Sequence, residues 1–239
     1  MPSCLIRQPA GLGDIFYIQK ICEHYSRLGY KVYLPVTQYY YDVVKKYIIS
    51  PNVNFCSENE SFPMKELYYS SFMKPLKNKT GDLYIPLQYA NYGHPEDVIL
   101  YSKYKMANVS FEDWRDFFEI NRDIKKENNL FNILQLSEED KYIFVNDTFA
   151  TPPDLHFREI KLSNDKKIVK MQLIKDYTIF DWLKVVEKAE EIHTVDTSIC
   201  YLIEKLKLKN KKFLYTRNRP DRGFEYIKQI YTSDWEFIL

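Results

Sequence analysis

Apolar residues fall along this chain in short runs, separated by stretches whose apolar positions recur at helical spacing. That alternation predicts buried strands between surface helices. Leu5 and Ile6 form the first run and predict a strand. Gly11 and Gly13 follow as a tight turn, where a missing Cβ permits angles or close approaches. Residues 15–21 then read as a helix that Gly29 ends, and 30–36 as a second strand. Strand, glycine turn, helix and strand within one short segment make a βαβ unit. Residues 40–49 predict a helix with Tyr40, Val43, Val44, Tyr47 and Ile48 on one face, stopped by Pro51, and 53–56 predict a third strand. The pattern weakens over 57–81, with one helix expected around 64–72. A strand is expected over 82–87, with Pro86 marking its end at an edge or loop. Residues 95–133 read as helical with a break at 108–110, and Ser110-Phe111-Glu112-Asp113 resembles a capping box that restarts the helix.

A second alternating series follows. Strands are expected over 141–145, 191–195 and 212–215, and helices over 178–190, 197–206 and 224–230. Residues 158–162 and 167–171 read as short strands or extended loop. Phe180, Leu183, Val186 and Ala189 share one helical face. The predicted class is α/β, with two Rossmann-like βα halves, 1–130 and 131–239, facing a central cleft.

Composition narrows the function classes. Of 239 residues 45% are hydrophobic, enough for a sizeable core. Lys and Arg number 34 against 33 Asp and Glu, so the net charge of +1 argues against a nucleic-acid partner. The 21 Tyr and 15 Phe beside 6 Gly read as AT-rich coding rather than as function. No run approaches the length of a membrane span. No basic stretch followed by an apolar one marks a signal peptide, and the expected setting is cytoplasmic. Cys4, Cys22, Cys56 and Cys200 lack paired or metal-type spacing, and Cys4, Cys22 and Cys200 lie in apolar runs as small core residues. His24, His94 and His156 have no metal-ligand spacing either.

Two segments carry candidate chemistry. In the first, Gly11, Leu12, Gly13 and Asp14 lie beyond the carboxyl end of a strand, where ligands of such sheets bind. The third glycine of a dinucleotide fingerprint is replaced by Phe16, and no P-loop Lys follows, so both of those sites are disfavoured. The glycines making only the turn, with Asp14 only capping the helix, is the other reading of this segment. In the second, Asp196, Thr197 and Ser198 open an amphipathic helix after a strand. Amides and hydroxyls at such a start suit a diphosphate, and simple capping is the alternative. Asp147, in Asn146-Asp147-Thr148, follows a strand at its functional end or makes a turn. Arg158 and Lys170 are phosphate candidates or solvated cations. His193 either contacts a nucleotide or is a core histidine. Arg217, Arg219 and Arg222 flank Pro220 as a diphosphate grip or a solvated basic loop.

Together the two segments resemble the GT-B glycosyltransferases of the heptosyltransferase type, family 9. The resemblance lies in strand–Gly11-Leu12-Gly13-Asp14–helix and strand–Asp196-Thr197-Ser198–helix. It implies an acceptor-side loop at Gly11, Leu12 and Gly13 with Asp14 as general base. It implies donor phosphates held at Asp196, Thr197 and Ser198; His193, Asp147, Arg158, Lys170 and Arg217 are the further donor-side candidates read from their own positions. The implied substrates are a nucleotide sugar and a glycan acceptor, with no cofactor and no metal, in a monomer or homodimer. The chain is shorter than members of that family usually are. It carries Ser198 where glycine is common and Tyr201 where histidine is common. A catalytically silent nucleotide-sugar or glycan-binding relative, and another α/β nucleotide-sugar enzyme, are the alternatives.

Overall fold

A computed structural model of the chain describes residues 1–8, 11–90, 99–151, 154–162, 166–217 and 224–238. They divide into two compact units, Met1–Asn121 and Arg122–Leu239.

The first unit runs β1 (Ser3–Ile6), α1 (Leu12–Tyr17), α2 (Gln19–Arg27), β2 (Lys31–Val36), α3 (Gln38–Tyr47), β3 (Ile48–Ile49), β4 (Val53–Ser57), α4 (Lys65–Tyr68), β5 (Leu76–Lys77), β6 (Leu83–Ile85), α5 (Ile99–Ala107) and β7 (Glu119–Ile120). Its sheet has the order β4-β2-β1-β6-β5. The first four strands are parallel and β5 is antiparallel to β6. Cys4, Leu5 and Ile6 of β1 are fully buried, as a central parallel strand covered on both faces requires. Burying each large aliphatic side chain there contributes about 1.5–3 kcal/mol. Gly29 ends α2 in the left-handed region (φ 86°), and its amide bonds back to Ser26 O while that of Tyr30 bonds to Tyr25 O.

The second unit runs α6 (Ile124–Ile133), β8 (Tyr142–Asn146), β9 (Thr148–Thr151), β10 (Asp154–Phe157), β11 (Lys167–Lys170), α7 (Leu183–Lys188), β12 (Glu191–Val195), α8 (Ser198–Leu206), β13 (Lys211–Tyr215), α9 (Phe224–Ile230) and β14 (Trp235–Ile238). Its main sheet, β11-β8-β12-β13-β14, is parallel throughout. All five residues of β8 are buried. Ile199, Leu202 and Ile203 bury the inner face of α8.

The order of each sheet fixes where a ligand can sit. In the first unit the chain goes from β1 to β2 and β4 on one side, then returns to β6 on the other. In the second it goes from β8 to β11, then crosses to β12. The topological switch points, where loops diverge and leave a crevice, therefore lie beyond the carboxyl ends of β1 and β6, and of β8 and β12.

Several elements differ from the sequence reading. The helix expected over 95–133 is described as α5, a 3₁₀ turn at Trp114–Phe117, the short β7, and then α6. Asn108 takes the left-handed conformation (φ 54°) and ends α5 with Val109 N donating to Tyr104 O. Ser110 starts no helix: its hydroxyl accepts from Glu112 N at 3.3 Å, and Asp113 is itself left-handed. The helix expected around 64–72 is one turn, α4. Residues 158–162 form no strand, while 167–170 do, as β11. The β9–β10 hairpin and β14 were not anticipated.

Candidate active site

In the first unit, Gly11 and Gly13 do not take the special backbone angles expected of them. Gly11 is the N-cap of α1 with φ −58°, an angle open to any residue, and a Cβ there would meet only Asp14 Oδ2 at 4.0 Å. Gly13 lies inside α1. Neither glycine is demanded by backbone strain; what they leave out is side-chain bulk over the helix start. Asp14 does not cap the helix. It sits in the first turn, and its Oδ1 takes an ion pair from Lys103 Nζ of α5.

Lys103 is fully buried. Burial pushes its ammonium below the ordinary lysine range, and the charge of Asp14 opposes that shift. A buried ammonium of this kind is tolerable only beside an anion, and Asp14 is the partner that the fold supplies. Oδ2 has no bonding partner among the described residues. Lys103 was missed in the sequence, although a signal was there: with Leu100, Tyr104 and Ala107 it occupies positions i, i+3, i+4 and i+7, a lysine on an apolar stripe. Gln8, two residues beyond β1, was also missed. It is 1% exposed, and neither polar atom of its amide has a partner among the described residues.

In the second unit, the ends of β8 and β12 bring several predicted residues together. Asn146 Nδ2 donates to Thr194 Oγ1 at 3.0 Å and to Thr197 Oγ1 at 2.9 Å, tying the two strand ends across the switch point. Thr197 is the N-cap of the nine-residue helix α8, and its side chain makes no capping bond there. Asp196 is turned aside, its Oδ1 accepting from Tyr231 OH at 2.6 Å and its carbonyl from Arg217 Nε at 2.7 Å. Asp147 pairs with Lys170 at 2.6 Å, and its carbonyl accepts from the Arg158 amide at 2.9 Å. The Arg158 guanidinium donates to Thr216 Oγ1 at 2.8 Å and lies 5.8 Å over the Tyr215 ring. Arg217 lies 5.3 Å over Phe149 of the hairpin. Tyr201 is buried and packs edge-on against Tyr231, so the residue at this departure from the family pattern supports the tyrosine that holds Asp196. Arg219, Arg222 and His94 lie outside the described residues.

His193 is placed within the sheet, 5% exposed and stacked 4.3 Å from Phe213. Nδ1 meets Tyr215 OH at 2.9 Å and Nε2 meets Glu191 at 3.3 Å. Burial depresses its pKa below the ordinary histidine value, with Glu191 opposing. Between that depressed value and 6.5 the unfolded chain binds more protons than the folded one, so stability rises with pH across the window and is lost on acidification through it. Urea titrations stepped from pH 7.5 to pH 5 are expected to show this slope, at most about 1.4 kcal/mol per pH unit for one proton. His193→Gln should flatten it; an unchanged slope would assign it elsewhere.

No protein-family model matches the chain, and no curated protein sequence is similar to it. Solved structures are. The glycosyl transferase family 9 structure from Veillonella parvula DSM 2008 matches over 99% of this chain and 86% of its own, with a TM-score of 0.57 at 8% identity. The dodecameric iron-containing heptosyltransferase TibC, solved with ADP-D-β-D-heptose, matches 90% of this chain at 8% identity with a TM-score of 0.46. TibC from enterotoxigenic E. coli H10407 matches the same share at 7% identity, with a TM-score of 0.44. The chain spans 58% of the length of the TibC chains. The fold is therefore that of glycosyl transferase family 9, two α/β units with parallel sheets, at an identity that speaks to fold alone. One expectation is corrected: TibC is iron-containing, so the absence of a metal no longer follows from the resemblance. Among the described residues no group of three or more His, Cys, Asp or Glu is placed around a common point. No described helix is long and apolar enough to cross a membrane.

Proposed function

We propose that this chain transfers a sugar from a nucleotide-sugar donor to a glycan acceptor, with Asp14 as the general base. The observation that supports it most directly is the pairing of Asp14 with buried Lys103 at the switch point of the first sheet. In the reaction the acceptor oxygen bonds to the anomeric carbon as the bond from that carbon to the diphosphate breaks. Asp14 Oδ2 takes the acceptor proton, a contribution of about 10²–10⁴ for a positioned base. The leaving diphosphate gains negative charge and goes to the second unit. There the amides of α8 at Thr197 and Ser198, with Arg158, Lys170 and Arg217, offer oriented dipoles and cations. Asp147 sets Lys170, and Asn146 sets Thr197. His193, through Tyr215, lies behind Arg158 rather than against a donor.

Thermal unfolding of the purified protein against UDP, GDP, ADP, CMP and their sugar conjugates, with and without Fe²⁺ or Mg²⁺, tests the reading. One nucleotide family is expected to stabilise the fold, by about 2.7 kcal/mol at a hundred times its dissociation constant. Arg158→Met should abolish that shift. No shift with any of them would overturn the proposal. A shift without hydrolysis or transfer would leave a nucleotide-sugar-binding protein instead.

A further inference from the structure

A row of side chains crosses the second sheet on the face away from α7 and α8. Those helices touch the other face: Tyr142 OH donates to Val185 O of α7 at 2.7 Å, and Thr194 Oγ1 lies 3.8 Å from Cys200 Sγ of α8. Side chains alternate along a strand, and the register pairs Val145 with His193, His193 with Phe213 and Val195 with Tyr215. Glu191, His193, Phe213 and Tyr215 therefore share the face opposite those helix contacts. There Glu191 Oε2 meets His193 Nε2 at 3.3 Å, and His193 Nδ1 meets Tyr215 OH at 2.9 Å. The Arg158 guanidinium closes the row, 5.8 Å over the Tyr215 ring and donating to Thr216 Oγ1 at 2.8 Å. The row starts at the first residue of β12 and ends at the last of β13, so it joins the amino edge of the sheet to the edge where ligands bind.

The partners set where the hydrogens lie. A carboxylate only accepts, so Nε2 of neutral His193 donates to Glu191 and Nδ1 accepts from the Tyr215 hydroxyl. A phenol that donates has a more electron-rich ring face, which holds a guanidinium placed over it more firmly. A proton on Nδ1 reverses the middle bond. The Tyr215 oxygen must then accept, its own hydrogen turns away, and a positive charge stands behind the ring that supports Arg158.

We infer that His193 and Tyr215 are positioning residues: neutral His193, through the Tyr215 hydroxyl, sets the Arg158 guanidinium for the donor diphosphate, and a proton on His193 loosens it. The inference rests on the glycosyl-transfer reading for what Arg158 binds, and adds a proton-controlled setting of that arginine. Among the described residues, the charges around the imidazole are Glu191 on its own strand, Lys211 on β13 and Glu236 on β14. Lys166 lies 3.0 Å from Glu191, Lys211 Nζ lies 4.7 Å over the Phe213 ring, and β8 presents the apolar Val145. Burial outweighs Glu191 and keeps His193 neutral to below the ordinary histidine range, so the loosening belongs to acidic conditions.

NMR of the ¹⁵N-labelled protein reads this coupling without any ligand. The ring nitrogens of His193 give its midpoint, and the Nε–H resonance of Arg158, assigned by its loss in Arg158→Met, is expected to shift with the same midpoint. In Tyr215→Phe, which keeps the ring and removes the hydroxyl, the arginine resonance should stop following the imidazole. Dissociation constants for UDP-glucose, GDP-mannose and ADP-glucose, whose diphosphate diesters do not titrate near neutrality, give the second readout. The one that binds is expected to weaken about two- to fivefold as pH falls through the His193 midpoint, the worth of one half-exposed cation–π contact. Affinity should be flat across that window in His193→Gln and in Tyr215→Phe. A purely structural role would lower the melting temperature of these variants and move neither readout. An Arg158 resonance that ignores the His193 titration, one that still follows it in Tyr215→Phe, or a pH dependence of affinity that survives in both variants would each overturn the inference. The two readings fail separately. Nucleotide-sugar binding with an uncoupled Arg158 removes the coupling alone. A coupled Arg158 with no nucleotide-sugar binding removes the transferase reading, and with it the donor as the ligand that Arg158 is set for.

Discussion

Asp14→Asn is expected to lower sugar transfer by about 10²–10⁴, the range for loss of a positioned proton acceptor, with little change in donor affinity. The variant also has a structural effect that must be separated from the chemical one. Lys103 is fully buried and its described partner is the Asp14 carboxylate. Neutralising that partner leaves a buried ammonium uncompensated, a loss of about 3–5 kcal/mol. A fall in activity from this variant alone would thus be ambiguous. Asp14→Asn combined with Lys103→Met resolves it, since the methionine fills much of the lysine stem volume without a charge to satisfy. The double variant should recover most of the stability and none of the turnover. Recovery of turnover along with stability would show that Asp14 serves only as a counterion, and the assignment of the base would fall. Lys103→Met alone should leave a carboxylate with altered aim, so kcat is expected to fall less than in Asp14→Asn.

The strands that anchor the site were legible because each lies deep in a parallel sheet. Such strands are covered on both faces and read as continuous apolar runs: Leu5 and Ile6, Ile143 to Val145, Phe213 and Leu214. The helix start at Ser198 was legible for a different reason, a strand of five residues ending in Asp196-Thr197-Ser198 before the stripe of Ile199, Leu202 and Ile203. What was hidden depends on contacts far apart in sequence. Lys103 and Asp14 are 89 residues apart, and no local pattern announces that a lysine will find a carboxylate. The β9–β10 hairpin exposes Leu155 and Phe157, so its apolar residues mark no core face to read. The break after α5 rests on Asn108 and Asp113 adopting left-handed angles, which Asn and Asp tolerate but do not require. Gly11 erred in the opposite direction: a glycine in a turn suggested strain, and its backbone shows none.

Glu204 is the residue whose loss should cost the second unit most. It lies on α8, fully buried, and accepts from Thr232 N at 3.2 Å, Ser233 N at 3.1 Å and Trp235 Nε1 at 2.6 Å. Lys212, also buried and bonded to Leu208 O and Asn210 O, lies in the field of the same carboxylate. Glu204→Leu strands three donors and removes the anion facing Lys212, for an expected loss of about 3–5 kcal/mol. Glu204→Gln keeps the shape but turns an NH₂ toward donors, so an intermediate loss is expected. Urea titration followed through tryptophan emission measures both, and a loss below about 1 kcal/mol for the leucine variant, the net worth of one ordinary hydrogen bond, would show that the donors find other partners. The consequence reaches the site through Tyr231, which precedes Thr232 and holds Asp196 at the start of α8. Releasing the turn at 232–235 frees Tyr231, and the amides at Thr197 and Ser198 lose their fixed aim. Donor affinity in the glutamine variant should therefore fall at temperatures where the protein is still fully folded. A donor affinity that tracks only the folded fraction would confine Glu204 to stability.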